Sequence, residues 1–208
     1  PTSSRRQRQM CIRDRGKNFC AGANFGGGDE DAGNAEKSEG GKISGHLYQH
    51  AVRIFEAKTT VIAAVQGAAI GGGLGLAVSA DFRVTCPEGR FSANFTRLGF
   101  HPGFGLTHTL PRLVGQNKAA ELFYTGRRVK GDEAFEIGLA DKLVPLEEIR
   151  SASIAFAEEI AMSAPLAVEA TRATMRAGLA DAVRNATDHE LVEQNRLRLT
   201  NDLSLIHI

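Results

Sequence analysis

The sequence predicts an α/β core followed by an α-helical C-terminal region. Strand-like and helix-like stretches alternate through the first half of the chain, and from Gly103 onward helical spacing dominates. Between the two halves of that alternation lies the run Gly67-Ala68-Ala69-Ile70-Gly71-Gly72-Gly73-Leu74-Gly75. An apolar stretch leads into it and a small-residue helix at 74–80 leaves it. A strand that stops on three glycines and restarts as a helix puts backbone N–H groups at a helix N-terminus. These donors have no intrahelical acceptor and carry the positive end of the helix dipole. Glycine lets a ligand approach that backbone closely. The turn therefore suits an anion, or a carbonyl oxygen that gains negative charge during a reaction.

Each element follows from local pattern. Residues 17–20 read as the end of a short strand, turning at Ala21-Gly22-Ala23-Asn24. Residues 25–41 are rich in Gly, Asp, Glu and Ser and read as a solvated loop, or a lid, since they follow that turn directly. Leu47, Ala51, Ile54 and Phe55 give residues 43–57 a helical spacing. Residues 60–65 are nearly continuously apolar, as a strand covered on both faces should be. Further strands are expected at 82–85 and 90–93, then short helices at 104–113 and 118–124. Asp132 is the expected N-cap of a helix over 133–137 that stops at Gly138. An extended pair at 143–144 precedes helices over 146–163, 166–177 with Pro165 at its start, and 180–199.

The two ends of the chain have a common reading. Residues 203–208 can be encoded by CTG TCT CTT ATA CAC ATC, whose reverse complement contains ATG TGT ATA AGA GAC AG. That string translates as Met-Cys-Ile-Arg-Asp, the sequence of residues 10–14. Residues 5–15 and 203–208 thus resemble translated sequencing-adapter DNA, and segments 1–15 and 203–208 are set aside from fold reasoning. Residues 16–202 then form the natural portion, expected to be a fragment. It divides into an α/β core at 16–142 and a helical region at 143–202. Without the five arginines and Asp14 of residues 5–15, 20 basic and 23 acidic residues remain, and the formal charge moves from +1 to −3. The basic character that would argue for nucleic acid disappears. Cys20 and Cys86 make neither a disulfide framework nor a zinc pattern, so a reducing, cytoplasmic setting is expected. No apolar run reaches the ~20 residues needed to span a membrane.

The glycine run is not a nucleotide loop. The third glycine of a dinucleotide pattern would fall at Leu76, and no Gly-Lys-Ser/Thr ending is present. It shares the chain with a second small-residue turn, Phe19-Cys20-Ala21-Gly22-Ala23-Asn24. Two backbone N–H groups from separate turns are the minimum that clamps one carbonyl oxygen. Together with Ala64-Val65-Gln66-Gly67, Ser79-Ala80-Asp81-Phe82-Arg83, Arg90-Phe91-Ser92, Leu98-Gly99-Phe100-His101-Pro102-Gly103, Gly126-Arg127, Glu133-Ala134 and Gly138-Leu139, these motifs resemble the enoyl-CoA hydratase/isomerase (crotonase) family over most of residues 16–180. The resemblance implies a spiral of ββα units with a helical trimerisation region, assembled as trimers or hexamers. It implies that Ala23 and Gly72 N–H groups form an oxyanion hole for an acyl-CoA thioester. Ala21, Asn24, Gly71, Phe95, Pro102 and Gly103 would line the substrate. Coenzyme A would enter as part of the substrate, with no separate cofactor and no metal.

The chain departs from the family at its acids. Hydratases of the family use two glutamates, the first two residues after the glycine triplet and the second four residues before Gly99; here they are Gly75 and Phe95. Some relatives place an aspartate eight residues beyond the second position; here it is Gly103. Each acid or base is worth ~10²–10⁴ in rate, so hydration is not expected. His101 is the candidate proton carrier, with a surface or helix-capping role as its alternative. Arg97 is placed to pair with an acidic acyl group or within the protein. His46 and His50 share a face of the helix that carries Tyr48, without a third metal ligand in view. The sequence therefore predicts an acyl-CoA enzyme that stabilises a thioester enolate. The alternatives are decarboxylase or proton-shuttle chemistry using His101, and a non-catalytic acyl-CoA-binding paralogue.

Overall fold

The computed structural model describes residues 10–12, 16–22 and 47–201. Strands are β1 (Met10–Ile12), β2 (Val61–Val65), β3 (Ala68–Ile70), β4 (Phe82–Thr85), β5 (Arg90–Ser92), β6 (Val129–Lys130) and β7 (Lys142–Leu143). Helices are α1 (Leu47–Phe55), α2 (Gly72–Ser79), α3 (Leu106–Val114), α4 (Gln116–Thr125), α5 (Gly131–Glu136), α6 (Ile149–Ala161), α7 (Pro165–Met175) and α8 (Leu179–Leu197).

Two sheets are built by a repeated ββα unit. β2, β3 and α2 form one unit; β4, β5 and the helices that follow form the next. The first strands of the units pair in parallel, with Ile62 opposite Phe82, in a sheet ordered β1-β2-β4-β7. The second strands pair in parallel, with Ala69 opposite Phe91, in a sheet ordered β3-β5-β6. β1, which lies inside the segment read as adapter, runs parallel to β2 at the sheet edge. All five residues of β2 are buried, which explains its lack of alternation. Val61, Ala63 and Val65 face the main core with Leu74, Phe91, Leu106 and Leu110. Ala64 faces the other way, toward Cys86 and Ile149 at the base of α6.

Several boundaries differ from the sequence reading, each for a physical reason. The strand feeding the glycine turn is β3 rather than β2, because the chain steps from one sheet to the other at Gln66-Gly67. Gly67 allows that step: a Cβ there would stand 2.1 Å from Lys17 O. Residues 17–20 form only a bridge, Cys20 to Ala69. Asp132 is not an N-cap. Lys130 holds that place, and Asp132 sits in the first turn of α5, where its charge still meets the dipole. Residues 146–148 are a 3₁₀ turn before α6. Ala93 lies beyond β5. Residues 43–46, including His46, and the loop at 25–41 lie outside the described residues.

α8 packs against α1 and α3, and α6 covers β2 and β4. Met162, Leu166 and Met175, on and just before α7, expose 86%, 81% and 76% of their surfaces. No described helix is long and apolar enough to cross a membrane.

Candidate active site

The glycine turn is assembled from backbone outward. β3 ends at Ile70 and is followed by Gly71, whose φ of 56° and ψ of −119° only glycine adopts without strain. Gly71 N–H donates to Ser92 O at 2.9 Å, fixing the turn to β5. Gly72 and Gly73 then occupy the first two positions of α2, where N–H groups have no intrahelical acceptor. The second small-residue turn lies directly on the first. Cys20 N–H donates to Ala68 O at 2.8 Å, and Ile70 N–H donates to Cys20 O at 3.0 Å. A Cβ on Gly73 would stand 2.0 Å from Cys20 O, so only glycine permits this approach. The expected juxtaposition of the two turns is present as far as Gly22. Ala21 is exposed beside it, and Ala23 and Asn24 lie outside the described residues.

Gly72 opens into a cavity of about 520 Å³, mostly apolar, lined among others by Gly22, Tyr48, Phe95, Phe100, Phe104 and Gln194. The three positions where carboxylates were sought are packed with aromatic rings. A Cβ on Gly75 would meet the Phe104 ring at 2.4 Å. A Cβ on Gly103 would meet Tyr48 at 2.5 Å and Gln194 at 2.6 Å. Phe95 is itself buried against the core. Phe104 takes a positive φ of 66°, which costs a non-glycine residue of order 1–3 kcal/mol. Its ring is held by Tyr48, at 5.4 Å between centroids, and by Val52, Phe55 and Val183.

Glu190 fixes the segment after Phe104. Its fully buried carboxylate accepts from Gly105 N at 2.7 Å, Thr107 N at 3.0 Å and Thr107 Oγ1 at 2.6 Å. These donors lie at the N-terminus of α3, where negative charge is favoured. Burial pushes the Glu190 carboxyl up; the Thr107 and Gly105 donors and His101 pull it back in part. A raised folded-state pKa means that the native protein holds this proton more tightly than the unfolded chain does. The contribution is present below the unfolded carboxyl's pKa and is lost as pH rises through the folded one. Denaturant titrations across this range are expected to show wild-type stability falling with pH relative to Glu190→Gln. Parallel profiles for the two would contradict it.

His101 is turned aside. Its Nδ1 lies 2.8 Å from Pro102 O and its ring meets His189 edge-on at 6.1 Å, and it is not among the residues lining the cavity. Pro102 is buried behind it. Arg97 donates to Thr125 O at 2.6 Å, within the protein. Tyr48 and Phe104 complete the cavity and escaped the sequence motifs, since neither belongs to a glycine turn or a carboxylate position. Burial pushes the Tyr48 phenol up, and Glu190 adds to that. Among the described residues no cluster of three or more His, Cys, Asp or Glu side chains is placed to hold a metal ion.

A family model described as enoyl-CoA hydratase/isomerase matches residues 4–203. The chain belongs to the enoyl-CoA hydratase/isomerase family. It is 40% identical over 147 residues to a crotonyl-CoA hydratase of Syntrophomonas wolfei, covering 70% of this chain and 56% of that protein. The chain spans about half the length of the curated relatives it matches. The crystal structure of an enoyl-CoA hydratase/isomerase from Pseudoalteromonas atlantica superposes with a TM-score of 0.83 at 26% identity, covering 96% of this chain and 77% of that one. The ECH2 decarboxylase domain of CurF from Lyngbya majuscula superposes with a TM-score of 0.69 at 28% identity, covering 76% and 65%. The ββα spiral is thus the crotonase fold of this family.

Proposed function

We propose that this family member binds an acyl-CoA thioester and stabilises its enolate at Gly72 N–H, with Ala23 N–H as the second donor, and does not hydrate enoyl-CoA. The observation that carries this reading is the pairing of an open helix N-terminus at Gly72 with aromatic rings at all three carboxylate positions. One preorganised donor lowers the barrier to a developing oxyanion by ~3 kcal/mol, and that contribution needs no carboxylate. Adding water to a double bond does need an acid and a base. Enolate chemistry that requires only the oxyanion hole and a proton donor, such as decarboxylation, is the second reading. It is favoured by the likeness to a decarboxylase domain. Coenzyme A belongs to the substrate. The exposed Met162, Leu166 and Met175 support self-assembly, as a trimer or hexamer, through the helical region. The free thiols Cys20 and Cys86 suit a reducing, cytoplasmic setting.

Crotonyl-CoA hydration, followed by loss of enoyl absorbance alongside acyl-CoA binding, tests this. Binding without turnover is expected; rapid turnover overturns the reading. Gly75→Glu restores a carboxylate in sequence but not in space, because Phe104 fills that volume. It is expected to gain no hydration and to lose about 1–3 kcal/mol of stability by overpacking, measured by urea unfolding. A Gly75→Glu protein that hydrates crotonyl-CoA would show that the Phe104 ring moves aside.

A further inference from the structure

Among the described residues lining the cavity, the hydroxyl belongs to Tyr48. Its Oη stands 3.1 Å from the point a Cβ on Gly72 would occupy, and its Cε1 3.3 Å from that point. The phenol therefore lies against Gly72, and both residues line the cavity. We propose that Tyr48 is the proton donor of this site and delivers its phenolic proton to the α-carbon of a thioester enolate held on Gly72 N–H. The proposal rests on the enolate reading above and adds the acid that reading lacks.

The ring is well fixed for that task. It sits on α1, is clamped by Phe104 at 5.4 Å between centroids, and fills the space left where Gly103 has no side chain. Burial keeps the phenol protonated at neutral pH, as a donor must be. The charged and titratable groups around it are Glu190 on α8 and Arg198 at the C-terminal cap of that helix, with Cys20 and His50 also lining the site. Arg198 favours the phenolate, so a positive charge at the cavity wall steadies the anion left after transfer. In the step itself the Tyr48 O–H bond breaks and a C–H bond forms at the α-carbon. The enolate electron pair becomes that C–H bond and the thioester carbonyl re-forms. The phenolate then takes a proton from water. In reverse, the phenolate removes the α-proton, so the same residue exchanges α-hydrogens with solvent.

Butyryl-CoA in D₂O, with α-deuterium followed by mass spectrometry, reads this exchange directly. The wild-type chain is expected to accelerate incorporation. Tyr48→Phe is expected to lose about 10²–10⁴ of that acceleration while still binding butyryl-CoA. Tyr124→Phe, at a tyrosine 78% exposed, is expected to exchange as wild type. The chain has two tyrosines. Fluorotyrosine labelling in a Tyr124→Phe background therefore alters Tyr48 alone without removing its hydroxyl. The pH at which exchange levels off should then move down, which a merely structural ring would not cause. Exchange by Tyr48→Phe within threefold of wild type, a fluorotyrosine profile that does not move, or a loss seen with His50→Ala or His101→Ala instead overturns the assignment and leaves the enolate reading standing. No exchange by the wild-type chain, with butyryl-CoA bound, overturns both.

Discussion

Gly72→Pro is expected to lower α-proton exchange about 10²–10³-fold and to leave α2 formed. Proline removes the N–H of the residue it replaces. At the first position of a helix that N–H has no intrahelical partner, and the fixed φ of proline suits the position. Gly72 is the first residue of α2, following the Gly71 cap. The substitution therefore deletes one donor to the substrate oxygen and little else in the helix. It does add a side chain, and a Cβ there would approach Tyr48 Oη at 3.1 Å. Gly72→Ala adds the same Cβ and keeps the N–H, so it measures the crowding alone. The donor's worth is the difference between the two variants, and the assay is butyryl-CoA exchange with thermal unfolding as the check on the fold. Equal rates for proline and alanine would show that the oxyanion is held elsewhere.

The parts of this site that were legible in the sequence are those made by neighbours in the chain. The glycine turn, the buried strand β2 ahead of it and the helix after it follow from residues within a few positions of one another. β3 was hidden because it is three residues long and lies inside the glycine-rich run, where strand periodicity has too few positions to register. The absence of carboxylates at Gly75, Phe95 and Gly103 was visible as a departure from family motifs. What stands there instead was not. Phe104 reaches Gly75, and Tyr48 reaches Gly103, across gaps of 29 and 55 residues that only the fold closes. The sequence pattern also starts a helix at Phe104, whereas the structure gives that residue a left-handed backbone and begins α3 at Leu106. The left-handed turn aims the ring at Gly75, so the local misreading and the missing acid share one cause. His101 carried the expectation of a proton carrier because it lies in the right segment; its ring points to Pro102 O instead.

Asp81→Ala is expected to cost about 3–5 kcal/mol, the largest stability loss foreseen here. Asp81 accepts from Val61 N at 2.8 Å, from Arg172 Nε at 2.9 Å and from Arg176 Nη1 at 2.6 Å. The two arginine side chains are 10% and 14% exposed, and Asp81 is 11% exposed. Arg172 also donates to Ala57 O and Arg176 to Ser79 O, so the cluster ties α7 to the ends of α1 and α2. Burial pushes the Arg176 guanidinium down and Asp81 pulls it up, while Arg172 opposes it. Removing the carboxylate leaves two like charges buried together with no counter-ion. The loss then comes more from those stranded cations than from the missing attraction. Arg172→Leu and Arg176→Leu added to Asp81→Ala should therefore recover a large part of the stability, because the neighbouring cavity wall includes Val78, Val168 and Leu179. Urea midpoints of the single, double and triple variants measure this. A triple variant no more stable than Asp81→Ala would mean that the carboxylate acts chiefly through Val61 N and the β2 edge. Either result bears on function, because α1 and α2 carry Tyr48 and Gly72, and the arginines that Asp81 binds donate to Ala57 O and Ser79 O at the ends of both.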